Sequence, residues 1–240
     1  MTNRIICLLL SVLSVPLWAS AQATPSISPL GTFTSATGEH SEATTSYSGS
    51  APVQAHFEAN TADDEGWNAY YEWRITLEGE KQPWLVRREK DTDITFTKAG
   101  THYIQLYAIF TQGTDTVAYT DEYWKENNPL TVTIAESKLE MPNAFSPNGD
   151  GINDIYKAKQ GWQSIVEFHA YIFNRWGQKL YQWDNPDGGW DGKFHGKDVA
   201  QGVYFCLVKA RGADGRHYNI KTDVNLLRGY TETSGSSGGQ

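Results

Sequence analysis

His102-Tyr103-Ile104-Gln105-Leu106-Tyr107-Ala108-Ile109 is the stretch on which the reading of this chain turns. In an extended chain Tyr103, Gln105, Tyr107 and Ile109 share one face, which is the period of a β-strand and not of a helix. Just upstream, Lys98-Ala99-Gly100-Thr101 turns the chain, and Ile94-Thr95-Phe96 supplies the strand before the turn. Further back lies Tyr70-Tyr71-Glu72-Trp73-Arg74-Ile75, preceded by Val53, Ala55 and Phe57 alternating with Gln54, His56 and Glu58. Leu130-Thr131-Val132-Thr133-Ile134 closes the series. Short alternating strands with no helical stretch predict a complete immunoglobulin-sized sandwich over residues 51–136. Residues 22–50 are rich in Ser, Thr, Gly and Pro and show little apolar periodicity, so they read as a flexible leader or a loosely attached first strand.

Downstream, Ala135-Glu136-Ser137-Lys138 reads as a short polar joint into a second domain over residues 139–228. Its strands are Phe168–Phe173, Lys179–Trp183, Gly202–Ala210 and Asn219–Leu227, separated by turn-dense segments such as Asp184-Asn185-Pro186-Asp187-Gly188-Gly189. The fold class expected is therefore all-β, with two consecutive immunoglobulin-like β-sandwich domains.

The first 21 residues read as a signal peptide: Arg4, then the apolar run Ile5–Leu13, then Ala19-Ser20-Ala21 as the cleavage box. That run is too short to span a bilayer, so an exported and not membrane-spanning chain is expected. Removing residues 1–21 takes away Arg4 and no acid, leaving 19 basic against 28 acidic residues, a mature charge of −9. Such a surface repels phosphate backbones and argues against nucleic acid as a partner. Cys7 leaves with the signal, and Cys206, inside the apolar run Val203–Val208, is expected to pack as a small hydrophobe.

Two resemblances refine this. Tyr71-Glu72-Trp73 and Phe96-Thr97-Lys98-Ala99-Gly100-Thr101-His102-Tyr103 make residues 51–136 similar to PKD-type sandwich domains, although the usual W-D-F triplet reads Trp73-Arg74-Ile75. The second domain carries five blocks in order: Phe145-Ser146-Pro147-Asn148-Gly149-Asp150-Gly151 with Asn153-Asp154, Phe173-Asn174-Arg175-Trp176-Gly177, Gly189-Trp190-Asp191-Gly192, Gly196-Lys197, and Gly202-Val203-Tyr204. It resembles the gliding-motility-associated C-terminal domain, the type B sorting domain of the Bacteroidetes type IX secretion system. The resemblance implies export to the outer-membrane surface or the medium, with the translocon and a PorP/SprF-type outer-membrane barrel as partners. It nominates Asn148, Asp150, Asn153, Asp154, Arg175, Trp176, Trp190, Asp191, Lys221 and Arg228 as sorting or recognition residues. The family's basic terminal strand is matched by Lys221–Arg228 except for Thr222 in its Gly position, and residues 229–240 continue as a tail of flexible composition.

Other chemistry is sparse. Asn148, Asp150, Asn153 and Asp154 invite a calcium reading, but on the EF-hand pattern position 12 is Lys157, which supplies no bidentate carboxylate. An Asx/Gly turn network is the rival account of that loop. The six histidines lack metal-ligand spacing, and no nucleophile elbow, zincin helix or P-loop occurs, so no catalytic residue and no required cofactor is expected. The chain reads as a non-enzymatic surface protein acting by contact with other envelope proteins or in envelope signalling of the PorA kind. The alternative is a secreted adhesin or carbohydrate-binding module that uses exposed aromatics, with Trp84 and Trp124 the candidates.

Overall fold

The structure, a computed structural model, describes residues 23–229; the expected signal peptide and the tail beyond Gly229 lie outside the described residues. Among the described residues the chain forms 18 strands and one short helix, so it is all-β. No described helix is long and apolar enough to cross a membrane.

The first domain contains β1 (Ser26–Ile27), β2 (Leu30–Ser35), β3 (Ser46–Gly49), β4 (Val53–Glu58), β5 (Thr61–Ala62) and β6 (Asn68–Leu77). It continues with β7 (Leu85–Arg87), β8 (Thr92–Phe96), β9 (Gly100–Gln112), β10 (Asp115–Tyr119), α1 (Asp121–Glu126) and β11 (Leu130–Ile134). One sheet is ordered β2-β4-β8 and the other β3-β11-β9-β6-β7, with β10 also on β9. Between them Phe57 packs on Phe33, Trp73 and Phe96 at ring distances of 5.9, 5.7 and 6.3 Å. The strand that opened the sequence reading turns His102, Ile104, Leu106, Ala108 and Phe110 into this core and leaves Tyr103, Gln105 and Ile109 on the outer face.

Two expectations are corrected here. From residue 23 on, the segment up to residue 50 is not a flexible leader: β2 pairs along the whole of β4, and β3 pairs parallel to β11. The domain thus begins near Ser26 and not at Ala51. A single ring explains this, because Phe33 is 2% exposed and stacks on Tyr47 at 4.5 Å. That burial, together with a full ladder to β4, offsets the ordering cost that the small polar side chains suggested. The second correction is α1. It has Asp121 and Glu122 in its first turn and Lys125 in its last, charges that suit the helix dipole.

The second domain contains β12 (Ala144–Phe145), β13 (Ile165–Phe173), β14 (Lys179–Trp183), β15 (Lys193–Phe194), β16 (Lys197–Asp198), β17 (Gly202–Gly212) and β18 (His217–Leu226). Its main sheet is ordered β12-β18-β17-β13-β14, and β15 pairs with β16 alone. One face of the sheet presents Phe168, Ala170, Ile172, Cys206, Val208 and Val224, with Phe145 of β12 beside them, to Tyr156 and Trp190, which come from the segments between strands. The covering layer is therefore mostly irregular chain. Cys206 is 2% exposed, and burial pushes its thiol up to about 11, which fits a packed hydrophobe and not a reactive thiolate.

The joint between the domains is not a loose linker. Ser137 is buried, and its hydroxyl donates to Asp214 at 2.7 Å and lies 2.9 Å from the Tyr218 hydroxyl. The β17–β18 turn reaches across: Ala213 packs in the first domain's core, and its carbonyl accepts from the Ala99 amide at 2.9 Å. The amide of Ala51 donates to the Ser164 hydroxyl at 3.1 Å. Gly212 is required there, since a Cβ would meet the Ser137 hydroxyl at 2.1 Å. Every one of these contacts lies at the end of the second sheet nearest the first domain, which leaves the opposite end distal and free of it.

Near the same seam His102 is fully buried. Trp84 donates its indole N–H to His102 Nδ1 at 3.1 Å, and Nε2 sits 2.9 Å from the Lys98 carbonyl, so this pair of partners selects the neutral tautomer with the proton on Nε2. Burial holds the imidazole below its ordinary value. A proton on Nδ1 would face the Trp84 N–H, so the folded state refuses a proton that the unfolded chain accepts near about pH 6.5. Stability contributed by neutral His102 is therefore lost as pH falls below that value. Thermal melts at stepwise pH should show His102→Gln with a flatter acid-side decline than the wild type; parallel declines would refute the assignment.

Candidate functional site

The nominated residues other than Lys221 gather at the distal end of the second domain, where β13 and β18 finish and β17 begins. The loop after β12 is held by its own side chains. Asp154 accepts from the amides of Asn148, Gly149 and Gly151 at 2.9, 2.7 and 2.8 Å. The Gly149 and Gly151 amides hold its carboxyl below the ordinary carboxylate range. Asp150 accepts from the Ile152 amide and from the Asn148 side chain, each at 2.8 Å. Both carboxylates are aimed at donors of their own loop, and among the described residues no group of three or more His, Cys, Asp or Glu converges. The geometry around Asn148, Asp150, Asn153 and Asp154 is that of an Asx/Gly turn network closed by the loop's own amides.

Arg228 ties this loop to its neighbours. Its guanidinium donates to the carbonyls of Val199 at 3.3 Å, Pro147 at 3.0 Å and Gly192 at 2.7 Å, and it pairs with Asp198 at 3.4 Å. A planar fork of five donors suits such a cluster of carbonyls, which a lysine would not satisfy. Gly192 has φ +78°, and a Cβ there would meet the Arg228 guanidinium and Pro147, both at 3.0 Å. The 146–154 loop and the Trp190-Asp191-Gly192 turn are thus side by side, with Asp191 accepting from the Lys193 amide at 3.0 Å. Arg228 serves here as a structural tie.

The two tryptophans of the motif blocks have opposite fates. Trp190 is fully buried, lies 5.4 Å from Phe145 and 5.1 Å from Tyr204, and donates to the Lys193 carbonyl at 2.8 Å. Its expected recognition role is corrected: it is a core residue, because the loop layer closes over it. Trp176 is 82% exposed, with the Arg175 guanidinium 5.3 Å from its ring. It sits on a stiff turn in which Asn174 accepts from the amides of Trp176 and Gln178, both at 3.0 Å. Lys221 is exposed on β18, away from this turn.

In the first domain Trp84 is 44% exposed, edge-on to Phe96 and His102. Trp124 is 9% exposed and donates to the Leu106 carbonyl at 3.1 Å, so it is corrected from a ligand-binding candidate to a core residue, tucked inward by α1. What the residue-by-residue reading missed is the outer face of β17, where Val203 and Phe205 are 50% and 45% exposed. The signal was available: Val203–Val208 is apolar without interruption, which means both faces of that strand are apolar.

Taken together, the second domain is an all-β body with a turn-rich distal end whose loops are closed by their own hydrogen bonds. Residues 139–223 match the family model of the CHU_C type IX secretion signal domain. The chain therefore carries a type IX secretion signal, which implies contact with that secretion machinery and export to the cell surface or beyond. A search of curated proteins returned no match.

Proposed function

We propose that the protein is a non-enzymatic envelope component whose second domain is read by the type IX translocon at its distal end. A PorP/SprF-type barrel is the receptor, and the first domain supplies contacts for other envelope proteins or for signalling of the PorA kind. The observation that carries this reading is the Arg175–Trp176 tip. A tryptophan 82% exposed on a hydrogen-bonded turn contributes little to folding, yet it offers a large rigid anchor of the kind that dominates protein interfaces. It also lies at the end farthest from the first domain, where a receptor meets no obstruction.

The test separates recognition from stability. Trp176→Ala should leave the melting temperature of the full chain within about 2 °C of wild type, as expected for a surface change. Surface display should fall at least about tenfold if the ring is an interface anchor. Display at wild-type level would move recognition elsewhere on the domain.

A further inference from the structure

The outer face of the five-stranded sheet is charged near the first domain, where Glu167, His169, Lys209 and Arg211 lie, but carries an apolar patch toward its distal end, where a solvated sheet face is ordinarily polar. Strand register places Tyr171, Leu207 and Lys221 in one row across β13, β17 and β18, and Phe173, Phe205 and Asp223 in the next. Val203 follows, opposite Asn225. An open groove of about 650 Å³ runs along this face, lined in part by Phe173, Phe205, Leu207, Lys221 and Asp223. The first domain treats its outer faces differently. Gln54, His56 and Glu58 alternate on β4, and on β6 Glu72 is held by Arg74 at 2.8 Å and by Arg88 at 3.0 Å.

We infer that this face packs against the same face of a second copy of the chain. The charge pattern selects that occupant. A two-fold axis lying across the strands, between the two rows, exchanges one row for the other. Leu207 then meets the Phe205 of the second copy, Tyr171 meets its Phe173, and each Lys221 meets an Asp223. One residue pair thereby serves twice, as an isologous interface requires, and an apolar centre is flanked by complementary charge. The same axis runs the two sheets antiparallel and sends the two first domains to opposite ends, so they do not collide. This inference stands apart from recognition at the Trp176 tip and does not rest on it.

The experiment is sedimentation equilibrium of the mature full chain, with circular dichroism to confirm that each variant is folded. Wild type should dimerise reversibly at tens of micromolar, with a dissociation constant on the order of 10 μM for so small a patch. Phe205→Ser should weaken the dimer at least about thirtyfold. Lys221→Glu and Asp223→Lys should each weaken it about tenfold by setting like charges opposite one another, and the double reversal should return it to within about threefold of wild type. A strictly monomeric wild type at 200 μM, a dimer unmoved by Phe205→Ser, or single reversals that the double variant does not rescue would each overturn the inference. The rescue also keeps the test sound if one single variant folds poorly, since loss of fold is not restored by exchanging two charges.

Discussion

Truncation after Lys138 is expected to leave the first domain inside the cell envelope, with no protein detected at the surface. The reasoning runs from the family match over residues 139–223 and from the structure of that segment, which holds every strand of the second sheet but the last residues of β18. A signal carried by a folded sheet with a rigid end is removed completely when the sheet is removed, so the expected effect is all-or-none. The seam sets the necessary control. Removing the second domain uncovers Ala51, Ala99 and the core surface against which Ala213 packs, so the remaining sandwich loses a cap as well as a signal. Circular dichroism of the purified fragment, begun near Ser26 to keep β2, separates a stranded but folded domain from one that has unfolded and been degraded. Arrival of the folded fragment at the cell surface would show that export does not depend on residues 139–240.

Trp190→Ala should carry the largest stability cost of any single substitution in the second domain, about 3–5 kcal/mol. The indole is fully buried between Phe145 and Tyr204, and its N–H satisfies the Lys193 carbonyl. Its backbone exchanges two hydrogen bonds with Tyr156, at 2.9 and 3.0 Å, which stitch the loop layer to itself. The covering layer has no second sheet to hold it. Deleting the ring therefore leaves a cavity between the sheet and this layer, and a carbonyl without its donor. Urea titration of the full chain, followed by far-ultraviolet circular dichroism, would read the loss. A cost below about 1 kcal/mol would mean that Phe145 and Tyr156 hold the layer unaided. Set beside Trp176→Ala, this variant also divides the two motif tryptophans: one should cost stability, the other display.

Much of this was legible in local pattern. Alternation over Val53–Glu58 and His102–Ile109, and turn chemistry such as Ala213-Asp214-Gly215-Arg216, determined the strands and their connections, because side-chain period and positive-φ turns are properties of a few neighbouring residues. The order of the five blocks determined the secretion domain, since each block is read without knowing what it touches. The Asp154 network was half legible: the residues announced an Asx/Gly loop, but only the tertiary structure showed which amides close on the carboxylate. What local pattern left open was burial. Trp124, Trp176 and Trp190 look alike in sequence, each beside a charged residue in a polar segment. The tertiary structure alone buried the first under α1 and the third under the loop layer, and left the second bare on a hairpin tip. It alone recruited β2 through Phe33, and made Ser137, Ser164 and Ala213 a seam in place of a linker. The physical reason is the same in each case. A residue's backbone state follows from its neighbours in the chain, whereas its exposure follows from segments far away in sequence that come to lie on top of it, or do not.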